Sequence, residues 1–427
     1  MLPSCVIHAP LPTRCFFSDG CRSRTTLGRI PDGGNGANQG ANMDRKRSAA
    51  GRMRRNLSSS TAITGFVLLA SLLGAAKAHA GGESGGAGAA TSPGGAGGAG
   101  FTGNPGASGY TGPRLSGGGG GAGGYGAVLP VPGRIVTSYV YRGGNGGHGG
   151  NSDGYQAGGG GGGDGGVGLF FDAYGGSATI AGAGQILGGN GGDGAYAYWR
   201  GVGAMGGNGG HGIQGNGLTI VNKGTIQGGM AGAGGAGSAR RGGTTGPDGL
   251  AGAGIFGSEL SITNSGIISG GLNADSYGRA NAITFTGGAN RLELQAGSVI
   301  TGNVVVQSGT GTLALSGTAD GTFDASALGA TPQYQGFTSL EKTGSGTWTV
   351  TGASSFSGQT TIGAGQVAVN GSLVNSDVRV TGGSPGRTGA VGGIVVENGG
   401  ILAPARQPSA GSMRRAMSCS TPARSIR

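Results

Sequence analysis

An all-β solenoid of short stacked coils is the fold this sequence predicts, and three observations predict it. Glycine takes 110 of the 427 residues, while charged residues make up 11% and aromatics 5%. That is too little bulk for a helical bundle or one wide core. A twelve-residue block recurs, as ATIAGAGQILGG at 178–189, LTIVNKGTIQGG at 218–229 and LSITNSGIISGG at 260–271. Within and after the blocks, apolar residues alternate with small or hydroxyl residues over runs too short to bury a face alone.

Isoleucine holds the third and ninth places of each block: Ile180 and Ile186, Ile220 and Ile226, Ile262 and Ile268. Two short strands joined by a glycine bend put these six side chains on one interior line, where stacked coils bury isoleucine on isoleucine. Asn222 and Asn264 share a place and suit either a stacked ladder or a turn. The blocks lie 40 and then 42 residues apart. A period of that length is expected to hold two coils, giving on the order of ten coils over 167–404. Further strands are expected at 283–285, 292–294, 299–301, 304–306 and 313–315. A β-sandwich is the competing fold, but its strands are usually longer and it leaves the repeat unexplained.

Residues 81–166 are mostly Gly, Ala and Ser with small apolar islands at 128–131 and 135–141. Burial on that scale does not offset backbone entropy, so the segment is expected to be largely flexible. Collagen is excluded, because no Gly-X-Y period with abundant proline is present.

An export signal precedes this segment. Six basic residues between Arg45 and Arg55 are followed by an apolar stretch of 15 residues at 62–76 and by Ala78-His79-Ala80. The stretch is shorter than the roughly 20 residues of a membrane span, and small residues at Ala78 and Ala80 predict cleavage before Gly81. The signal thus occupies 43–80, and residues 1–42 read as an upstream extension or a start placed too early. The partners this implies are the Sec export machinery and signal peptidase.

The net charge of +11 lies in the two ends. Residues 1–80 carry 11 basic and 3 acidic side chains, residues 405–427 carry 5 and none, and residues 81–404 carry 12 and 14. The body therefore lacks the basic stripe a nucleic-acid partner requires. Cysteine follows the same partition, with Cys5, Cys15, Cys21 and Cys419 outside the body and none within it. No disulfide or metal-thiolate site is expected there.

Residues 340–404 resemble the autotransporter-associated β-strand repeat. The match runs through Leu340, Lys342, Gly344-Ser345-Gly346-Thr347-Trp348-Thr349, Phe356-Ser357-Gly358, Thr361-Ile362, Val369-Asn370-Gly371-Ser372-Leu373 and Leu402-Ala403-Pro404. Blocks at 281–288 and 297–302 resemble the passenger segments that precede this repeat. The resemblance implies a right-handed parallel β-helix over 167–339 and 340–404, exposed outside a Gram-negative cell and carried by a C-terminal outer-membrane barrel. Ser384-Pro385-Gly386-Arg387 departs from the family pattern. After Pro404 the alternation stops, basic residues rise and cysteine returns, so residues 405–427 read as a shifted reading frame that ends the chain before its barrel. Such a product would stay in the periplasm.

Catalytic motifs are absent. His148 and His211 each sit in Gly-Gly-His-Gly without a neighbouring carboxylate or histidine, and no serine-nucleophile elbow or phosphate loop occurs. Gly188-Gly189-Asn190-Gly191-Gly192-Asp193 matches the start of a calcium nonapeptide, as does 159–164, but each copy lacks the apolar residue that follows. No catalytic, metal or cofactor residue is assigned. The expected function is that of a structural, adhesive surface rod binding host or self ligands, with Tyr196, Tyr198 and Trp199 as a candidate contact group. The alternatives are a β-helix polysaccharide hydrolase or lyase, and a truncated product without function.

Overall fold

A computed structural model describes residues 5–7, 104–110, 117–130, 133–152, 158–238, 242–386, 389–397 and 399–401. The signal stretch, Ala78, Ala80 and Gly81, and the tail 405–427 lie outside the described residues. Among those described, regular structure consists of short β-strands and one 3-10 turn, Ala325–Ala327. The strands stack in parallel into long sheets, so the chain is an all-β parallel β-helix.

Each coil visits three walls. In one coil, Leu169–Phe171 lies in the second wall, Gly176–Ile180 in the first and Gln185–Leu187 in the third. The first wall is continuous, with ten parallel strands from Arg134–Thr137 to Ile394–Val396, and Cys5–Ile7 pairs antiparallel at its end. The third wall stops at Val299–Thr301 and is replaced by a four-stranded sheet that begins at Gly321–Asp324.

Register corrects the expected coil length. Ser261 pairs with Thr219, so 42 residues make one coil and not two. Further along, Leu313 pairs with Leu292 at 21 residues and Thr360 with Val378 at 18. The early coils are long because each sends a glycine-rich excursion out from the end of its third-wall strand. The helix also begins earlier than residue 167. Ala127–Leu129, Arg134–Thr137 and Val140–Arg142 already pair with the three walls of the next coil.

All six isoleucines of the repeat are fully buried. Ile186, Ile226 and Ile268 stack in one third-wall row. Ile180 does not stack on Ile220 as the block alignment suggests. The first wall pairs Ala178 with Ile220 and Ile180 with Asn222, two residues out of step. Isoleucine suits the interior row because a branched side chain packs on the same residue one coil away, each burial contributing about 2 kcal/mol.

The row of Ile180 turns polar at Asn222 and Asn264, apolar at Leu294 and Leu315, charged at Lys342 and apolar again at Ile362. The asparagines form the ladder. Asn222 Nδ2 donates to Asn264 Oδ1 at 2.7 Å and to the Ile267 carbonyl at 3.1 Å, and Asn264 Nδ2 donates to the Gly266 carbonyl and Ser298 Oγ. Lys342 is 1% exposed, and its Nζ donates to the carbonyls of Thr343, Gly344 and Ala364 at 2.6, 2.9 and 3.1 Å. Burial lowers its pKa from the ordinary lysine value, while three carbonyls from two successive turns compensate the buried charge. Ser384–Gly386, where the family pattern is broken, forms the last strand of the four-stranded sheet. At such an edge Pro385's missing N–H costs no ladder bond.

Candidate interaction surface

Over their described residues the glycine-rich excursions are ordered. Residues 104–110, 117–130, 133–152 and 158–166 thus depart from the flexibility expected of 81–166, whose other residues lie outside the described ones. Each has an outgoing and a returning limb, and the limbs of successive excursions stack as tiers. Hydrogen bonds recur every third residue along each segment, the period of the polyproline II helix, which has no internal bonds and offers its backbone to neighbours. In the second tier Gly143, Gly146 and Gly149 donate to Leu187, Asn190 and Asp193 of the next tier, at 2.8–2.9 Å. Gly144, Gly147 and Gly150 donate to Gly124, Gly121 and Gly118 of the returning segment below, at 2.7 Å. Backbone pairing thus offsets the ordering entropy that apolar burial could not.

This geometry explains why two residues in three are glycine. A Cβ on Gly146 would lie 1.8 Å from the Gly163 oxygen, and one on Gly147 would lie 2.0 Å from the Ala107 oxygen. The third place points outward, and a Cβ at Gly161 would meet nothing nearer than the Met205 oxygen at 3.8 Å. The sequence signal for the array is therefore the X-Gly-Gly triplet, as in Asn145-Gly-Gly-His148-Gly-Gly-Asn151. The requirement relaxes at the edges. Asn104, Ala107 and Tyr110 hold the inner places in the first tier, below which no described segment lies. Asp248 does so in the last, where its Oδ1 accepts the Gly234 amide at 2.7 Å. Side chains at both edges seal a surface that would otherwise template further strands.

The outward places carry a second network. A short acceptor side chain there reaches the backbone amide of the next tier. Asn145 Oδ1 accepts from Asn190 N at 2.9 Å, and Asn190 Oδ1 accepts in turn from Met230 N at 3.0 Å. His148 Nδ1 accepts from Asp193 N at 3.0 Å, and Asp193 Oδ1 accepts from Ala233 N at 2.8 Å. On the other face Asp164, Asn208 and His211 accept from Asn208, Leu250 and Ala253 N at 2.7, 2.8 and 2.9 Å. The calcium-like Gly-Gly-Asn-Gly-Gly-Asp run is accounted for by this packing. Its glycines permit the close approach, and its Asn190 and Asp193 each bond the tier above. The two histidines, isolated in sequence, also belong to the network.

His211 stacks on Phe256, with centroids 4.6 Å apart and planes at 1°. Burial pushes its imidazole down to about 4, and accepting at Nδ1 requires the neutral form. Its stabilising contribution is complete above the ordinary value of 6.5 and is lost as pH falls toward about 4. Acidifying from about pH 7 to about pH 4.5 should therefore lower the melting temperature of the native chain by more than that of His211→Asn, whose Oδ1 keeps the acceptor without the titration. Equal drops in both would show that His211 carries none of the acid sensitivity.

At the far end of the third tier the chain reverses over 197–202. Tyr196 and Tyr198 are 37% and 42% exposed, and Trp199 and Arg200 have left-handed φ of 37° and 62°. Non-glycine residues there store strain, which recurs at functional loops. The Tyr198 and Trp199 rings lie 6.2 Å apart, Tyr196 N donates to Asn151 Oδ1, and Tyr198 N donates to Ser152 Oγ. The candidate contact group thus stands at the tip of the array, held by the tier below. Val202 and Met205, 58% and 51% exposed, extend the apolar surface along the returning segment.

Residues 340–369 match the family model described as passenger-associated-transport-repeat. In the structure they span the strands Leu340 to Val369, and Leu340 pairs with Thr360 one coil on. Within them Lys342 ties its own turn to Ala364, and Trp348, 3% exposed, donates from Nε1 to the Ser316 carbonyl at 3.0 Å. No curated protein and no solved structure matches the chain. A passenger carrying this repeat is exported to the cell surface or beyond. The chain thus carries a repeat of autotransporter passengers at 340–369, embedded in a parallel β-helix.

Proposed function

We propose that this passenger is a non-catalytic adhesive rod: the β-helix is the stem, and the glycine array holds an aromatic tip away from it. The observation that carries the reading is the exposure of Tyr196 and Tyr198 beside the strained Trp199-Arg200 turn. Tyr, Trp and Arg dominate binding hot spots because they bring large contact areas at low entropic cost. The tip is fixed by backbone bonds from neighbouring tiers, so little ordering cost remains on contact. Supply to the surface would use Sec export, signal cleavage before Gly81 and an outer-membrane barrel in the intact protein.

Exchanging Tyr196 and Tyr198 together for serine should weaken adherence of the purified chain to host cells or to itself by about tenfold. The far-UV circular dichroism should not change, because both side chains point outward. Undiminished adherence would move the contact elsewhere. Release of reducing or unsaturated ends from host or plant glycans would replace the reading with a β-helix hydrolase or lyase.

A further inference from the structure

Where the third wall ends at Val299–Thr301 and its successor starts, displaced, at Gly321–Asp324, the rod carries a notch. The turn at 294–298 forms one side and the strand at 321–324 the other, over a floor of buried Phe323, Tyr334 and Trp348. The cleft encloses about 460 Å³, within the roughly 300–1,000 Å³ usual for ligand sites.

Its polar walls consist largely of acceptors. Asp320 Oδ1 takes the Thr347 amide at 2.7 Å, and Asp324 Oδ1 takes the Ser326 amide and hydroxyl at 2.9 and 2.7 Å. The Gln333 Nε2 donates to the Ile300 and Gly302 carbonyls at 2.9 and 3.1 Å, capping the last strand of the third wall. That leaves its carbonyl oxygen as the atom with bonding capacity to spare. Carboxylates and an amide oxygen on one cleft favour a ligand built of hydroxyl donors, and they repel phosphates and uronates.

We propose that this notch binds a neutral oligosaccharide, as a site separate from the array tip. The two carboxylates accept its hydroxyls, and the exposed Thr322 lies along the wall. The ligand is held and not cleaved. The Ser326 bonds keep the Asp324 carboxyl below its ordinary range, so it stays ionised and is a poor proton donor to a glycosidic oxygen.

The test is calorimetric titration of the full chain with cellohexaose and maltohexaose, with hexagalacturonate and calcium alone as separate arms. One of the neutral hexaoses should bind, hexagalacturonate and calcium should not, and the hexaose should be recovered intact. Asp320→Asn and Asp324→Asn should each weaken binding by roughly tenfold. Thr322→Trp, at an exposed position, should block the cleft without moving the melting temperature. The proposal is overturned if neither neutral hexaose binds, if Thr322→Trp binds as well as the native chain, if hexagalacturonate or calcium alone binds in the notch, or if the hexaose is cut.

Discussion

Gly192→Ala should unfold the molecule at markedly lower denaturant than the native chain, whereas Gly161→Ala, the same change in the neighbouring tier, should do no harm. At Gly192 the new methyl would sit 2.0 Å from the Gly147 oxygen and 2.5 Å from its carbon, both backbone atoms that no rotamer change can move aside. The tiers must part. The bonds from Gly192 N to the Gly163 oxygen and from Gly207 N to the Gly192 oxygen, each 2.8 Å, are then stretched or lost. Two such bonds at about 1 kcal/mol each and an overpacking cost of about 1–3 kcal/mol sum to about 3–5 kcal/mol.

At Gly161 the nearest atom is 3.8 Å away, so alanine costs nothing in the fold. It stiffens the unfolded chain, for a gain of up to about 1 kcal/mol. Gly161→Asn should add a little more. Asp164 already accepts the Asn208 amide 44 residues on, and Gly161 stands in the same relation to Met205. Urea unfolding midpoints of the three variants check the order. Equal losses at Gly192 and Gly161 would mean that the array is not packed through its glycines.

The β-helix was legible because burial leaves a mark on side-chain type. The six repeat isoleucines occupy interior positions, and Asn222 and Asn264 are stacked partners. A period of about 40 residues holds one coil and not the two expected, because the intervening glycines form the outgoing and returning limbs of that coil. The array was illegible to any argument from apolar burial. Its order comes from backbone pairing, for which the only sequence mark is which residues are forbidden a Cβ. That mark is present as glycine at two places in three, with Asn, Asp and His at the third except in the edge tiers, where Asn104 and Asp248 take inner places. The two-residue slip at Ile180 was hidden because Ala178 and Ile180 are both apolar, and only pairing shows which of them meets Ile220. Of the candidate contact group, exposure of Tyr196 and Tyr198 followed from their place in a turn. The notch did not, because it arises where one wall stops and another starts out of line.

Ile226→Asp should be the most damaging single change in the rod. Ile226 is fully buried between Ile186 and Ile268, so the aspartate loses the apolar packing and leaves a carboxylate with no cation in the row. Removing the side chain costs about 2–5 kcal/mol, and the unpaired polar group adds several more unless the carboxyl binds a proton. Its neighbour gives the control. Thr225 lies on the outer face in the row of Gln185 and Ile267, and Thr225→Asp should change stability by no more than about 0.5 kcal/mol. A stacked rod adds a further signature, because each coil is stabilised chiefly by its nearest neighbours. Breaking one interface should divide the unfolding of Ile226→Asp into two steps, with the coils on the far side, including Lys342 and Trp348, melting near their native midpoint. Tryptophan fluorescence of Trp348 followed beside far-UV circular dichroism would separate those steps. A single small shift shared by Ile226→Asp and Thr225→Asp would be incompatible with a solenoid in which Ile226 stacks at the centre.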